Sequence, residues 1–253
     1  MILFILFFIQ YTYSFNTNLI RTTTHYQNNK IISITPGGYK GFYTLGVCDY
    51  IKQYYDLSDF LFSGASAGAW NALFLSFKGD NSHFINDILN IPLSDKNNIQ
   101  NLQYSLKDIL LDKYHSHDFD LDRLYIGVSR FNKYNFKPII YNDFDSLEDA
   151  IDCCMASSHI PLITGGLTFK YRNKFTFDGG FAKNPFLFNN HSTLLVSPYI
   201  WESQLMYDTS EFKLVNKDKP DISKIKYLYD VGYYDTVSNK QKLDIKINNL
   251  KTI

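Results

Sequence analysis

The stretch Leu57–Gly68, LSDFLFSGASAG, decides the fold of this chain. Its apolar run from Leu57 to Ser63 predicts a buried strand, and the Ala- and Leu-rich segment Ala65–Phe77 predicts a helix. Between them lies Gly64-Ala65-Ser66-Ala67-Gly68, a G-x-S-x-G pattern. On such a sharp strand-to-helix turn a serine projects its hydroxyl from the sheet edge, and small neighbours leave room for the turn. The pattern favours Ser66 as a nucleophile, and the alternative is a structural tight turn.

A second glycine cluster lies upstream, after Ile31–Thr35, which predicts a buried β-branched strand. The cluster is Pro36-Gly37-Gly38-Tyr39-Lys40-Gly41, and helical spacing follows it. Backbone N–H groups at such a turn bind anions, so it is a phosphate loop, a plain helix start or an oxyanion hole. The P-loop residue pattern is absent, and the nearby serine favours an oxyanion hole with the N–H groups of Gly37 and Gly38 as donors. Pro36 has no N–H to donate.

The third cluster is Phe177-Asp178-Gly179-Gly180, which follows a predicted strand. An aspartate at this point is placed to project into a site, although an ordinary turn has the same composition. An unperturbed aspartate has a pKa of about 3.9 and is a weak base for a serine, so other groups must lower the barrier. His191 is the only histidine after Asp178, and it is therefore the sole candidate for a Ser-Asp-His triad in that chain order.

The elements around these clusters predict an α/β fold. Strand, turn, helix, strand, turn, helix over residues 31–77 is typical of a parallel sheet. The polar stretch 79–119 predicts an excursion with helical patterns at Phe84–Ile91 and Ser105–Leu111. Further strands, a hairpin and helices are predicted at Leu124–Arg130, Lys137–Tyr141, Leu147–Met155, Leu167–Tyr171, Lys174–Phe177, Thr193–Ser197 and Ser223–Asn239. No repeat or Pro-, Gly- or Ser-rich linker divides residues 30–240, which we interpret as one domain.

Composition and charge exclude several classes of protein. The 253 residues include 25 basic and 25 acidic side chains, so charge gives no reason to expect nucleic acid as a partner. A hydrophobic content of 45% excludes a disordered chain. The three cysteines, Cys48, Cys153 and Cys154, form no C-x-x-C pair, and we interpret them as small apolar core residues. His115 and His117 lie among aspartates, where a solvated loop is favoured over a metal site.

The two ends of the chain suggest contact with lipid. Residues 1–14 begin with an apolar run that suits a signal or anchor segment but is too short to span a bilayer. Such a segment would place the protein in the secretory pathway or at a membrane surface. Residues 211–253 carry nine Lys against six Asp and Glu, a mild bias that could favour anionic lipid, although a solvated tail explains it as well.

Together the three clusters resemble the patatin-like phospholipase family over most of Ile31–Tyr234. Ala156-Ser157-Ser158-His159-Ile160-Pro161 is similar to the family's Ala-Ser-x-x-Ile-Pro segment, Asn184-Pro185 to its Asn-x-Pro, and Leu228–Asp235 to its terminal helix. The chain departs from the family at Pro36, where glycine is usual, and Lys40 replaces a commoner arginine.

The resemblance implies a three-layer α/β sandwich with a mainly parallel central sheet. It implies a Ser–Asp dyad in which Ser66 is the nucleophile and Asp178 the base, with no metal or cofactor. Gly37 and Gly38 would form the oxyanion hole, supported by the turn glycines Gly41, Gly64, Gly68, Gly179 and Gly180. Nearby aromatic residues could line an acyl-chain pocket: Tyr39, Phe42 and Phe181.

The activity that the resemblance implies is that of a serine esterase of phospholipase A type (EC 3.1.1). Such an enzyme cleaves fatty-acyl esters of phospholipids or acylglycerols at a membrane or lipid-droplet surface. Two alternatives stay open at this point. One is acyl transfer from the same site to an acceptor other than water, and the other is an inactive lipid-binding or structural protein of this fold.

Overall fold

The computed structural model describes residues 29–91, 99–132, 135–203 and 222–251. The predicted signal or anchor segment, residues 1–14, lies outside the described residues. In chain order the strands and helices are β1 (Lys30–Ile34), α1 (Gly41–Tyr54), β2 (Phe60–Ala65), α2 (Ala67–Ser76), α3 (Asn81–Leu89), α4 (Ile99–Lys113), β3 (Leu124–Asn132), β4 (Asn135–Tyr141), α5 (Leu147–Ser157), β5 (Phe169–Tyr171), β6 (Lys174–Thr176), β7 (Thr193–Val196), α6 (Ile222–Ser238) and α7 (Lys240–Asn248).

Five strands form a central sheet in the order β4-β3-β2-β1-β7. The neighbours among β3, β2, β1 and β7 run parallel, and β4 runs antiparallel to β3. Every residue of the middle strand β2 is buried, as expected for a parallel strand that helices cover on both faces. The predicted α/β fold with a mainly parallel central sheet is confirmed.

Helix α6, the predicted terminal helix, packs closely against α1. A Cβ on Gly46 of α1 would lie 2.1 Å from the carbonyl oxygen of Tyr229, and one on Gly232 would lie 2.0 Å from that of Tyr43. The Tyr43 hydroxyl also donates a 2.8 Å hydrogen bond to Asp235. The end of the domain is thereby fixed to the helix that follows the first glycine-rich turn.

Two stretches differ from the sequence expectations. Within the excursion 79–119, α3 begins earlier than predicted because the Asp80 carboxylate caps it, accepting a 2.8 Å hydrogen bond from the Ser82 N–H. Helix α7 was not predicted. Its sequence KQKLDIKIN buries only Leu243, so it lacks the apolar stripe by which a helix is recognised.

The predicted hairpin carries Asp178 to the sheet. Strands β5 and β6 pair antiparallel around Arg172 and Asn173, whose φ angles of 45° and 59° are typical of a type I′ turn. Phe177 then bridges to Ser129 of β3. Asp178 therefore lies at the carboxyl ends of the parallel strands, the edge at which ligands bind in open α/β sheets.

Among the described helices, none is long and apolar enough to cross a membrane.

Candidate active site

Ser66 occupies the turn between β2 and α2. Its φ of 54° and ψ of −129° lie in a backbone region that residues other than glycine rarely adopt. The turn brings backbones together: a Cβ on Gly64 would lie 2.0 Å from the carbonyl oxygen of Gly68, and one on Gly68 would lie 2.3 Å from that of Ile34. The chain thus makes the sharp turn that the G-x-S-x-G pattern predicts. Ser66 immediately precedes α2, whose amino end favours negative charge.

The Ser66 hydroxyl meets the carboxylate of Asp178. Ser66 Oγ donates a 2.6 Å hydrogen bond to Asp178 Oδ2. Asp178 is itself fixed, because its N–H donates to the carbonyl oxygen of His159 at 2.7 Å and its Oδ1 accepts from the Gly180 N–H at 2.7 Å. Ser66 is 7% exposed and Asp178 is 5% exposed. The fold therefore holds the two predicted catalytic residues within the distance that a direct proton transfer needs.

Burial changes the acidity of Asp178. It raises the pKa of Asp178 from 3.8 to about 6, although hydrogen bonds from the Ser66 hydroxyl and the Gly180 N–H lower the pKa in part. A carboxylate with this pKa is still largely ionised near neutral pH, and it is a stronger base than an exposed aspartate. The weak basicity expected from the unperturbed pKa is thus partly corrected by the site.

The turn after β1 lies beside the Ser66 turn. A Cβ on Gly41 would lie 2.5 Å from the Cβ of Ala67, the first residue of α2. Gly38 adopts a φ of 55°, and Gly37 precedes it with a φ of −151°. Within the described residues, the N–H groups of Gly37 and Gly38 donate to no other group. Two unused backbone donors next to a serine are the groups that an oxyanion hole requires.

Pro36, the departure from the family pattern, begins the first glycine-rich turn. A Cβ on Gly180 would lie 3.3 Å from the Cβ of Pro36, so Pro36 packs against the segment that holds Asp178. Lys40, at the other end of the turn, is buried, and its Nζ donates a 3.1 Å hydrogen bond to the Tyr199 hydroxyl. The proline therefore occupies space beside Asp178 and leaves the donors at Gly37 and Gly38 in place.

Ser157 and Gly127, for which the sequence alone predicted no role, hold the backbone of the Ser66 turn in place. The Ser66 N–H donates a 2.8 Å hydrogen bond to Ser157 Oγ, which donates a 2.6 Å hydrogen bond to the carbonyl oxygen of Gly127. Gly127 has no room for a side chain, because a Cβ there would lie 1.4 Å from the carbonyl oxygen of Pro185. The signal in the sequence was the Ala-Ser-Ser end of α5, which lies in the segment that resembles the family's Ala-Ser-x-x-Ile-Pro.

His191 lies at the other edge of the sheet. It is exposed and comes two residues before Thr193, which pairs with Ile31 at the amino ends of β7 and β1. Ser66 and Asp178 lie at the carboxyl ends of the strands. The geometry does not bring His191 to these two residues, so it gives no support to a Ser-Asp-His triad.

The other predicted candidates also lie outside the dyad. His115 and His117 are exposed, with ring centroids 5.5 Å apart, and the described residues contain no group of three or more potential metal ligands. His159 is buried, which lowers its pKa and favours the neutral imidazole. All three cysteines are buried with free thiols: Cys48, Cys153 and Cys154. Their burial agrees with the interpretation as apolar core residues.

Aromatic side chains surround both turns. Tyr39 and Phe42 are partly buried and pack against the hydrophobic core. Phe181, three residues after Asp178, has its ring centroid 5.1 Å from that of Phe136. These contacts do not test whether the three residues line an acyl-chain pocket, so the pocket stays a prediction.

Comparison with known proteins agrees with this geometry. The model of the patatin-like phospholipase family, described as "Patatin", matches residues 32–188. The match spans more than half of the chain and includes both glycine-rich turns and the Asp178 segment. Among curated proteins, none matches the sequence. On the family match, this chain belongs to the patatin-like phospholipase family.

Proposed function

We propose that this protein is a lipid acyl hydrolase that cleaves fatty-acyl esters of phospholipids or acylglycerols through Ser66 and Asp178. The family suggests lipid acyl hydrolysis in general. The observation that carries the specific proposal is the 2.6 Å hydrogen bond from Ser66 Oγ to Asp178 Oδ2, made by a buried serine with a φ of 54°. A buried, strained serine held on a carboxylate is a costly arrangement, and such strain concentrates at functional sites.

In the first half of the proposed reaction, Ser66 Oγ attacks the ester carbonyl carbon while its proton moves to Asp178 Oδ2. The carbonyl oxygen becomes negative, and the N–H groups of Gly37 and Gly38 stabilise it together with the amino end of α2. The bond to the leaving alcohol then breaks, and the alcohol takes the proton from Asp178. An acyl ester on Ser66 remains.

In the second half, water enters and gives a proton to Asp178 as its oxygen attacks the acyl carbon. The same backbone donors hold the second oxyanion. The bond to Ser66 Oγ breaks, Ser66 takes the proton back from Asp178, and the fatty acid leaves. Asp178 acts as base and then as acid in each half, which its pKa of about 6 allows near neutral pH.

Covalent labelling tests the nucleophile directly. We expect a fluorophosphonate probe to label the wild-type protein and not Ser66→Ala. Ser58→Ala, which removes an exposed serine far from the turn, is the matched control and should label like the wild type. Equal labelling of Ser66→Ala, or none of the wild type, would contradict the proposal.

A lipid panel tests the substrate class. Phospholipids, triacylglycerols and short-chain esters are each incubated with the wild type, Ser66→Ala and Asp178→Asn, and the released fatty acid is measured. We expect a loss of roughly a thousandfold or more in both variants, as for other nucleophile–base pairs. Acyl products on an added alcohol in place of free fatty acid would indicate transfer, and no turnover of any ester would favour the inactive alternative.

A further inference from the structure

Basic and acidic side chains are unevenly distributed in this neutral chain. Residues 124–201, which run from β3 to β7, contain seven basic residues and six acidic ones, and five of the acidic residues lie in the segment 143–152. The sixth, Asp178, is buried. The acidic side chains of this stretch are therefore concentrated in one short segment, and all seven basic side chains lie outside it.

Arg172 pairs with Asp143 and Asp149 at 2.8 Å and 2.6 Å, whereas the other described basic side chains of this stretch have no acidic partner. In the described part of the chain no ion pair is formed by Arg130, Lys137, Lys170, Lys174 or Lys183, all of which are exposed. By contrast Arg123, at the opposite edge of the sheet, pairs with Asp120 at 2.6 Å. Arg130 and Lys137 lie directly opposite each other in the β3–β4 register. Like charges in that position repel, unless an anion from outside the chain lies nearby.

Large apolar side chains are exposed among these charges. Leu162 is 69% exposed, Leu167 is 67% exposed, and Phe131 and Phe175 are each 53% exposed. Leu162 also has a φ of 64° in a turn that its N–H closes by donating to the Gly166 carbonyl oxygen at 3.2 Å. A bulky residue held at positive φ in water needs a reason, and strain of this kind concentrates at functional positions.

One of these exposed residues, Phe131, connects to the dyad through aromatic rings. Phe136 lies 5.3 Å from Phe131, 5.3 Å from Phe177 and 5.1 Å from Phe181, measured between ring centroids. Phe177 and Phe181 flank Asp178 in sequence. The row of rings therefore runs from the residues beside the catalytic carboxylate to the exposed Phe131.

We propose that this surface docks the protein on bilayers that contain anionic phospholipid. We call it the basic apolar rim and define it by Phe131, Leu162, Leu167, Phe175, Lys170 and Lys174. Exposed apolar side chains enter the boundary between headgroups and acyl chains, and lysines beside them attract anionic headgroups. Lys170 Nζ lies 5.0 Å from the Phe175 ring centroid, so charge and apolar surface are presented together. The inference rests on the proposed function, since docking here places the dyad at its lipid substrate.

Vesicle co-sedimentation of the full chain carrying Ser66→Ala tests the rim without turnover. The vesicles are phosphatidylcholine alone and phosphatidylcholine mixed with phosphatidylglycerol. We expect stronger binding to the mixed vesicles, reduced by added salt. Lys170→Gln with Lys174→Gln should lower partition into mixed vesicles by roughly tenfold or more. Leu162→Ser with Leu167→Ser should lower partition into both kinds of vesicle.

Lys242→Gln with Lys246→Gln is the matched control, because both lysines are exposed on α7. The chain just after α7 lies at the opposite edge of the sheet, where the Lys251 N–H donates to the His191 carbonyl oxygen. The control should bind like the parent. Equal binding to both vesicle types, or an equal loss in the control, would overturn the proposal. A folded rim variant is established by its unchanged circular dichroism. Because binding is measured without chemistry, loss of the docking proposal leaves the hydrolase proposal intact, and the reverse also holds.

Discussion

Each of the two glycine-rich turns of this protein contains one residue with a φ near 55°, but that residue is glycine in the first turn and serine in the second. After β1, Gly38 adopts a φ of 55°, and after β2, Ser66 adopts a φ of 54°. Glycine takes this conformation with little strain, whereas a residue with a Cβ is destabilised there by about 1–2 kcal/mol. In the proposed reaction the first turn only needs to present N–H groups, and the second must present a side chain.

The surroundings of the two turns differ accordingly. A Cβ on Gly37 would lie 3.3 Å from Pro198 and from Gly41, a tight contact that shifts of a few tenths of an ångström could relieve. The second turn is enclosed: Gly64 and Gly68 leave no space, and Ser157 accepts the Ser66 N–H. We infer that a strained catalytic side chain needs rigid contacts on all sides, whereas backbone donors need only a permissive residue.

Filling the enclosed turn should have the largest effect on stability. Gly64→Ala would place a Cβ 2.0 Å from one carbonyl oxygen and Gly68→Ala would place one 2.3 Å from another. Backbone atoms must shift, so we expect each variant to lose about 3 kcal/mol or more of unfolding free energy in urea titrations. Gly166→Ala, whose Cβ would meet nothing within 4 Å, is the control. A loss below about 1 kcal/mol for Gly64→Ala would show that the turn can relax.

The carboxylate beside the enclosed turn should give opposite pH dependences of activity and stability. The folded pKa of Asp178, about 6, lies above the unfolded value of about 3.9, so its contribution to stability is present below about pH 4 and is lost as pH rises through about 6. Activity needs the ionised form and should rise over the same range.

Asp178→Asn measures the pH-dependent contribution of Asp178 to stability, because it removes the charge and keeps the size and shape of the side chain. Relative to wild type, its unfolding free energy should gain about 3 kcal/mol between about pH 4 and pH 7. Urea titrations at a series of pH values are the measurement. A pH-independent difference between the two proteins would contradict the raised pKa, and full activity at pH 4 would contradict the role as base.

Removing the Ser157 hydroxyl, which bonds to the Ser66 N–H, should lower stability by an intermediate amount. Ser157→Ala leaves the buried N–H of Ser66 without an acceptor and the Gly127 oxygen without its donor. We expect a loss of about 1–3 kcal/mol of stability, and a lower kcat because Ser66 is less well fixed. Ser157→Thr, which keeps the hydroxyl, should recover part of the activity. Wild-type kcat in Ser157→Ala would remove Ser157 from the positioning of Ser66.

Local patterns predicted the two turns well, and contacts distant in sequence were not predictable. Strands β1 and β2 were predicted within one to three residues, because apolar runs that end at glycine are local signals. The Ser66–Ser157 hydrogen bond joins residues 91 positions apart, and no single motif encodes it. The order of the strands and the reversed β4 likewise depend on which surfaces pack together.

The candidate site shows the same division. Ser66, Asp178 and the glycines came from motifs, and the structure brings them together. The pKa of Asp178 depends on burial by residues from several elements, so the sequence gives only the unperturbed value. The unpaired lysines of the rim could not be identified from the sequence, because only the fold shows that Arg172 takes Asp143 and Asp149 as partners while Lys170 and Lys174 do not.

In the first turn, a side chain at Gly38 should lower stability by about the strain that its positive φ imposes. Gly38→Ala places a Cβ at a φ of 55°, which we expect to lower stability by about 1 kcal/mol. Gly38→Asn should lose less, because asparagine tolerates this region better. Urea titrations rank the three proteins, and hydrolysis of a soluble ester reports whether the donors keep their place. An alanine variant as stable as the wild type would mean that the loop can change its conformation without a loss of unfolding free energy.

The reciprocal change in the enclosed turn has the smallest expected effect and compares the two turns directly. Ser66→Gly and Ser66→Ala both remove the hydroxyl, but only glycine relieves the strain at a φ of 54°. The relief of about 1–2 kcal/mol is opposed by the greater freedom of glycine in the unfolded chain, about 0.4–1 kcal/mol. We therefore expect Ser66→Gly to be more stable than Ser66→Ala by about 0.5–1 kcal/mol in urea titrations. If alanine is the more stable, the surrounding contacts, rather than the residue at position 66, set the cost of the turn, and the two turns differ less than their sequences suggest.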